Sequence, residues 1–274
     1  MTDYLDTEQH LPRSSYVSVN RPRISGTALV GDLHLATGNY GTASSWRLVL
    51  SGAAIAAFLG IAMGLTYIEL WILDQFTGQA LASGLLGLTG PGATPPGRFL
   101  AIAAQLLPMV NFLVVLRLSP LAGYHAAEHK VVSAIERYGN IEYEQVVDMP
   151  RAHPRCGTVL LFGVLPTLLI AYPLLWSNPL AALAVAVVGW MLRYHVGYFI
   201  QQNFTTKPPT PRQLAAGVAA GRKLMALYMS DPDRRVSIAR GLWTRGLPQM
   251  VAGVVIGHYL LQHILDHLHV WLDF

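Results

Sequence analysis

Four apolar stretches of this chain are long enough, or nearly so, to span a membrane and carry no Asp, Glu, Lys or Arg: 48–68, 99–116, 157–192 and 247–265. A helix needs about 20 mostly apolar residues to cross a bilayer, because lipid cannot satisfy an open backbone. The third stretch is too long for one helix, and Trp176-Ser177-Asn178-Pro179 breaks it. Asn-Pro is a turn signal, and proline readily opens the next helix. Two helices over 157–175 and 179–200 result. The pattern therefore predicts an all-α, multi-pass membrane protein with about five transmembrane helices.

Lys and Arg alternate along this frame. Arg13, Arg21, Arg23 and Arg47 precede the first span, and the 74–97 connection has no cation. Lys130, Arg137, Arg151 and Arg155 fall in 118–156. Eight more, from Lys207 to Arg245, fall in 201–246, against Asp231 and Asp233. By the positive-inside rule the N-terminus and both basic loops are expected in the cytoplasm and the C-terminus outside, as in a bacterial inner membrane. The chain divides into a cytoplasmic segment 1–46, spans one and two in 47–118, and a cytoplasmic loop 119–156. A membrane hairpin 157–200, a basic cytoplasmic segment 201–246 and a last helix in 247–274 follow.

Composition supports this frame. Charged residues make up 12% and hydrophobic residues 53% of the 274, against ~25% charged in soluble domains, and mean hydropathy is +0.39. Disorder, a soluble enzyme and a disulfide scaffold are excluded, Cys156 being the single cysteine. Residues 1–46 have charges and no apolar run, so no cleavable signal peptide is expected. The sequence pI of about 9.3 follows from topogenic charge, and nucleic acid is not an expected partner. In 201–246, Thr210-Pro211 caps a helix on which Leu214, Val218, Leu224 and Leu227 recur at near-helical spacing. Such a helix fits an anionic headgroup surface. The sequence names no protein partner or oligomeric state.

Candidate chemistry lies in 119–156. Tyr124-His125-Ala126-Ala127-Glu128-His129-Lys130 contains H-x-x-E-H, the order of inverted zinc peptidases. On a helix, His125 and His129 at i and i+4 can hold one divalent metal, zinc by preference. Glu128 beside them can act as general base. His153-Pro154-Arg155-Cys156-Gly157-Thr158 adds two common zinc ligands, His153 and Cys156, at a helix start that favours the thiolate. Glu136 lies on the same stripe at i+11, roughly 16 Å along the axis from His125, and is expected to partner Arg151 or Arg155. The rival readings are interfacial histidines beside a snorkelling Lys130, and a proline-started helix with a small buried cysteine. Arg193 and His195 fall inside the fourth span, as a snorkelling pair or a polar site. His263, Asp266, His267 and His269 read as an interfacial helix tail.

These residues carry a resemblance. The run from Tyr124 through Ala134-Ile135-Glu136, the His153–Thr158 element, and Thr205-Thr206-Lys207-Pro208-Pro209 followed by Gln213 look like the YqhQ-like family of bacterial membrane proteins. The likeness covers roughly 118–227. It implies a membrane setting and metal dependence, the family being a domain of unknown function often described as predicted metal-dependent enzymes. The family's opening Gly-Gln-Ala-hydrophobic-hydrophobic-Glu-Gly element is answered by Gly26, Ala28, Leu29 and Val30, with Gly31-Asp32 where Glu-Gly would stand. The region 193–202 also departs from the family.

The reading is an integral-membrane, zinc-type metal-dependent enzyme, a hydrolase, with its site at the cytoplasmic face. Metal ligands are expected at His125, His129, His153 and Cys156, with Glu128 as catalytic base. Two alternatives remain: a non-enzymatic assembly factor or scaffold with a structural metal or polar site, and a small transporter using Arg193, His195 and Glu69.

Overall fold

A computed structural model of the protein describes residues 22–82 and 98–272. Arg13, Arg21 and the 83–97 part of the first connection lie outside the described residues. The order is β1 (Ser25–Leu29), β2 (Asp32–Ala36), α1 (Ser45–Thr77), α2 (Arg98–Leu118), α3 (Leu121–Tyr138), α4 (Tyr143–Asp148) and α5 (Gly157–Leu175). Next come α6 (Pro179–Ile200), a π-helical turn (Gln201–Thr205), α7 (Pro211–Ser230), α8 (Ile238–Thr244) and α9 (Leu247–Leu272). Among the described residues the protein is nearly all helical.

Three helical segments are long and apolar enough to cross a membrane: Ser45–Thr77, Gly157–Leu175 and Pro179–Thr205. A fourth span is found if α2 and α3, bent by 76° at Ser119-Pro120, are taken together. α2 has 21 residues and reaches roughly 30 Å unaided. α3 turns away from α2 at this bend. α9, expected as a fifth span, is a helix of 26 residues, but Gln249, His258, Gln262, His263, Asp266 and His267 make it less apolar than the others.

Small residues let these helices touch. In the α5–α6 hairpin, which Asn178 begins by capping Ala181 N–H at 3.1 Å, Gly163 meets the Arg193 carbonyl and Gly197 the Val159 carbonyl. α1 and α9 run parallel. Gly253 lies on the Val49 carbonyl, Gly257 on Ala53, and Gly60 under Leu261. Backbones that close gain dispersion contact where lipid offers no hydrophobic drive. Leu168, Tyr172, Leu183, Trp190 and Leu260 face outward, as bilayer-facing side chains should.

The start of α1, the end of α2, the start of α5, the end of α6 and the start of α9 all lie at one end of the bundle, where α3, α4, α7, α8 and the hairpin form a layer. A β-hairpin of β1 and β2 amends the all-α expectation. Its strands pair antiparallel from Ser25↔Ala36 to Leu29↔Asp32 around a Val30-Gly31 turn in which Gly31 takes φ 77°, a conformation glycine adopts without strain. Leu33 and Leu35 of β2 pack with Val131 and Ile135 of α3 and with Leu214, Val218 and Leu224 of α7. Each such buried side chain contributes about 1.5–3 kcal/mol. Thr210 caps α7 as the sequence indicated, and Gln213 completes a capping box with it. The apolar face of α7 is covered by α3 and the hairpin, because those elements offer it a closer apolar surface than headgroups would.

Candidate metal centre

α3 positions the site because its buried face contains polar residues among alanines. Ala122, Ala126 and Ala127 are fully buried, and Glu128 and His129 are 6% and 2% exposed. Small neighbours let β1, α7 and the π-turn close on this helix. Gly123 abuts the Gln213 side chain, and Gly26 of β1 abuts Glu128 itself.

His125 and His129 are oriented in the same way from two sides. His125 Nδ1 donates to the Thr205 carbonyl at 3.0 Å, and His129 Nδ1 donates to the Arg151 carbonyl at 2.7 Å. A carbonyl only accepts, so each Nδ1 carries the proton and each Nε2 presents a lone pair. His125 Nε2 lies 3.4 Å from Cys156 Sγ. His129 Nε2 is buried and has no hydrogen-bond partner among the described residues. Metal-binding histidines are commonly held in this tautomer by a carbonyl on the other nitrogen.

The loop and the π-turn bring the thiol in. Gln201, fully buried, accepts from His153 N–H at 2.8 Å and donates to Thr158 Oγ1 at 3.2 Å. Thr158 Oγ1 lies 3.2 Å from Cys156 Sγ. Cys156 stands at the N-cap of α5 with extended backbone. The ligand atoms of His125, His129 and Cys156 all lie within 4.8 Å of one another, and this trio could hold a metal ion.

Glu128 completes the centre. Its Oε2 is 4.0 Å from His125 Nε2 and 3.9 Å from His129 Nε2. Burial pushes its carboxyl up to about 8, His125 opposing and Cys156 adding to the shift. Burial likewise holds His129 well below the ordinary histidine value. Both shifts reflect charge that this pocket does not itself solvate. A cation at the centre would reverse that balance for the carboxylate.

His153 is turned elsewhere. Its Nε2 lies 3.3 Å from Glu136 Oε2, and its Nδ1 accepts from Arg155 N–H at 3.3 Å. Glu136 also pairs with the Arg155 guanidinium, the partnership expected from its position on the stripe. Of the four ligands read from the sequence, His125, His129 and Cys156 are brought together and His153 stands behind them. Gln201 and the Arg151 carbonyl had no motif to mark them, and Thr205 was marked only as part of the Thr205–Pro209 likeness.

The other polar candidates do not join this centre. Arg193 lies over the rings of Trp190 at 4.0 Å and Tyr194 at 4.4 Å, both on its own helix. Glu69 accepts from Asn111 of α2 at 2.7 Å, and His195 is exposed. His263 and His267 face each other, exposed, with Nε2 atoms 3.1 Å apart on α9.

Comparison with known proteins agrees with this picture. Residues 109–192 match the family described as Protein of unknown function (DUF1385). The chain is 25% identical to "Uncharacterized protein YqhQ" of Bacillus subtilis (strain 168), over 48% of this chain and 51% of that protein. It thus spans about half the length of the curated relative it matches. No solved structure matches the chain significantly. At the positions where the resemblance would set Glu-Gly, Gly31 forms the hairpin turn and Asp32 pairs with Arg47. The segment that holds His125, Glu128, His129 and Cys156 therefore lies within the residues, 109–192, that match this family.

Proposed function

We propose that this is a membrane-embedded, metal-dependent hydrolase whose zinc-type ion is held by His125, His129 and Cys156. The observation that carries this reading is the pair of histidines whose Nδ1 atoms are committed to backbone carbonyls while their Nε2 atoms face one thiol and one carboxyl. Two imidazoles and a thiolate form a borderline-soft donor set of the kind zinc takes. Three protein ligands leave a fourth position open, as catalytic sites do, whereas four would close it.

His125, His129 and Cys156 would hold a zinc-type ion, which when bound would supply Lewis acidity and lower the pKa of water. Glu128 takes the proton of the attacking water and returns it to the leaving group. Its burial excludes competing solvent, and Gly26 and the flanking imidazoles fix its direction. His153, Glu136 and Arg155 hold the loop that carries Cys156.

The positive-inside rule assigns the site to the cytoplasmic face of a bacterial inner membrane, with α9 as a fifth span beside α1. Exposed cations of 201–246, such as Arg212 and Arg235, then lie near anionic headgroups. The test is metal analysis of detergent-purified protein. About one ion per chain is expected in the wild type and markedly less in His125→Ala. Glu128→Gln should keep the ion and fail in cellular complementation, because an amide cannot accept that proton. A Glu128→Gln variant that complements fully would sink the hydrolase and leave a scaffold with a structural metal.

A further inference from the structure

A cleft of about 450 Å³ opens beside the metal centre, lined by Lys130, Arg151, Gln202, Leu214 and the Pro208-Pro209 pair. It lies at the membrane end of the layer, since Gln202 belongs to the π-turn that follows α6 and the prolines lead into α7. Both charged side chains in its lining are cations. The acid whose charge reaches Lys130 is Asp148, which is outside the lining.

The two cations are held, not floppy. Lys130 Nζ donates to the Val147 carbonyl at 2.7 Å and to the Met149 carbonyl, the end of α4, which leaves its third hydrogen for a ligand. With the Gln202 amide turned so that its oxygen faces Arg151, that oxygen accepts from Arg151 Nε at 3.2 Å and from a terminal nitrogen at 3.3 Å. This contact orients the guanidinium plane and leaves its other edge free. Pro208 and Pro209 bring no N–H to compete, while Val147 and Leu214 add apolar wall. A fixed ammonium and an oriented guanidinium in one half-enclosed cleft match the charge and the several acceptor oxygens of a phosphate group.

The cleft is coupled to the centre through the backbone. Lys130 follows His129 directly, and the residue whose guanidinium lines the cleft, Arg151, accepts His129 Nδ1–H on its carbonyl. A ligand bound here would lie against the wall that orients a metal ligand. We propose that the cleft binds the phosphate of a phosphate ester, with Lys130 and Arg151 on the phosphate and Leu214 and Val147 against the alcohol. As the class of the substrate this rests on the hydrolase reading; as a binding site it stands on the cleft alone.

The test uses the full chain, delipidated in a phosphate-free maltoside detergent, with melting temperature as readout. The probes are glycerol phosphate, a soluble ester, and short-chain phosphatidylglycerol, an ester carried by a lipid; sodium chloride at matched ionic strength is the control. A saturable rise in melting temperature with either probe is expected. Glycerol phosphate alone would name a soluble ligand, and a response confined to phosphatidylglycerol would name a lipid headgroup. Arg151→Gln should weaken the response at least ten-fold, and Arg151→Lys less, since it keeps the charge and loses the fork. Gln202→Glu, which leaves Arg151 in place and puts a carboxylate on the cleft wall, should abolish it. His125→Ala should lose metal and keep phosphate binding, so the two readings fail separately. No response beyond chloride, or wild-type binding by Gln202→Glu, would overturn the proposal.

Discussion

Gly26 of β1 rests on the side chain of Glu128. A methyl group at residue 26 would run into the Glu128 Oε1, Cδ and Cγ atoms. The strand is anchored around this contact. Val30 N–H donates to Ser51 Oγ of α1 at 3.1 Å, and its partner strand is bound to α8 through His34 and the Thr244 carbonyl. Neither side can easily withdraw. Gly26→Ala should therefore displace the carboxyl and cost about 1–3 kcal/mol of stability, the usual range for over-packing. The expected outcome is a lowered melting temperature and lost complementation, with metal content near wild type because no ligand is touched. Unchanged complementation would show that the position of Glu128 does not matter.

The ligand set gives a second prediction. Cys156→Ser should lower bound metal strongly, since a hydroxyl is a poorer donor than a thiolate for a borderline-soft ion. His153→Ala should instead leave metal content close to wild type and lower the melting temperature. It removes a partner of Glu136, and a lost buried hydrogen bond to a charged group is worth about 1.5–3 kcal/mol. Inductively coupled plasma analysis of the two variants side by side decides it. Equal metal loss in both would return His153 to the ligand set.

Much of this arrangement was legible in the sequence, and the parts that were not have physical causes. The charge-free stretches gave the helices because lipid forces backbone closure over a fixed length. α5 and α6 match the expected 157–175 and 179–200. His125 and His129 were legible because i,i+4 spacing is a local property of one helix. His153 was not resolved as a bystander. Its direction depends on the Gln201 side chain holding its backbone N–H, a contact across 48 positions that no spacing rule encodes. The hairpin carried a signal that the composition of 1–46 obscured: alternating Leu33 and Leu35 beyond a Val30-Gly31 turn. The π-turn at Gln201–Thr205 had none, although it delivers the Thr205 carbonyl to His125, in keeping with the frequent siting of such turns at functional centres.

A third prediction concerns pH. Ala43 N–H donates to His34 Nδ1 at 3.0 Å, so that nitrogen is unprotonated, and Nε2–H donates to the Thr244 carbonyl at 3.0 Å. Burial lowers the affinity of this ring for a second proton, the Thr244 bond opposing and the Lys223 charge adding to the effect. A depressed value in the folded state means the unfolded chain binds the proton first. The stabilisation is present above the unfolded value of 6.5 and is lost as pH falls below it. Protonation would also set an N–H against the Ala43 N–H. The melting temperature should therefore drop between pH 7.5 and 5.5, and the drop should be smaller in His34→Gln, which has no charge to gain. An equal drop in both would assign the acid sensitivity to other groups.

The last prediction concerns sidedness. Glu144 is exposed on α4, in the layer that carries the metal centre, and Ser177 is exposed at the tip of the α5–α6 hairpin. α5 has 19 residues between these levels, close to 30 Å at about 1.5 Å per residue, so a bilayer fits between the two positions. The basic residues lie with Glu144: Lys130, Arg151 and Arg155 are on its side, and the hairpin tip from Trp176 to Pro179 has no cation. Single cysteines at 144 and 177, introduced against a Cys156→Ser background of verified expression, should therefore react oppositely with a membrane-impermeant maleimide in intact cells. Ser177→Cys is expected to label from outside, and Glu144→Cys only after the membrane is opened. Labelling of Glu144→Cys in intact cells would invert the protein. It would place the metal centre in an oxidising compartment, where a thiolate ligand is vulnerable to oxidation unless an ion protects it. Labelling of both positions from outside would remove α5 from the list of spanning helices.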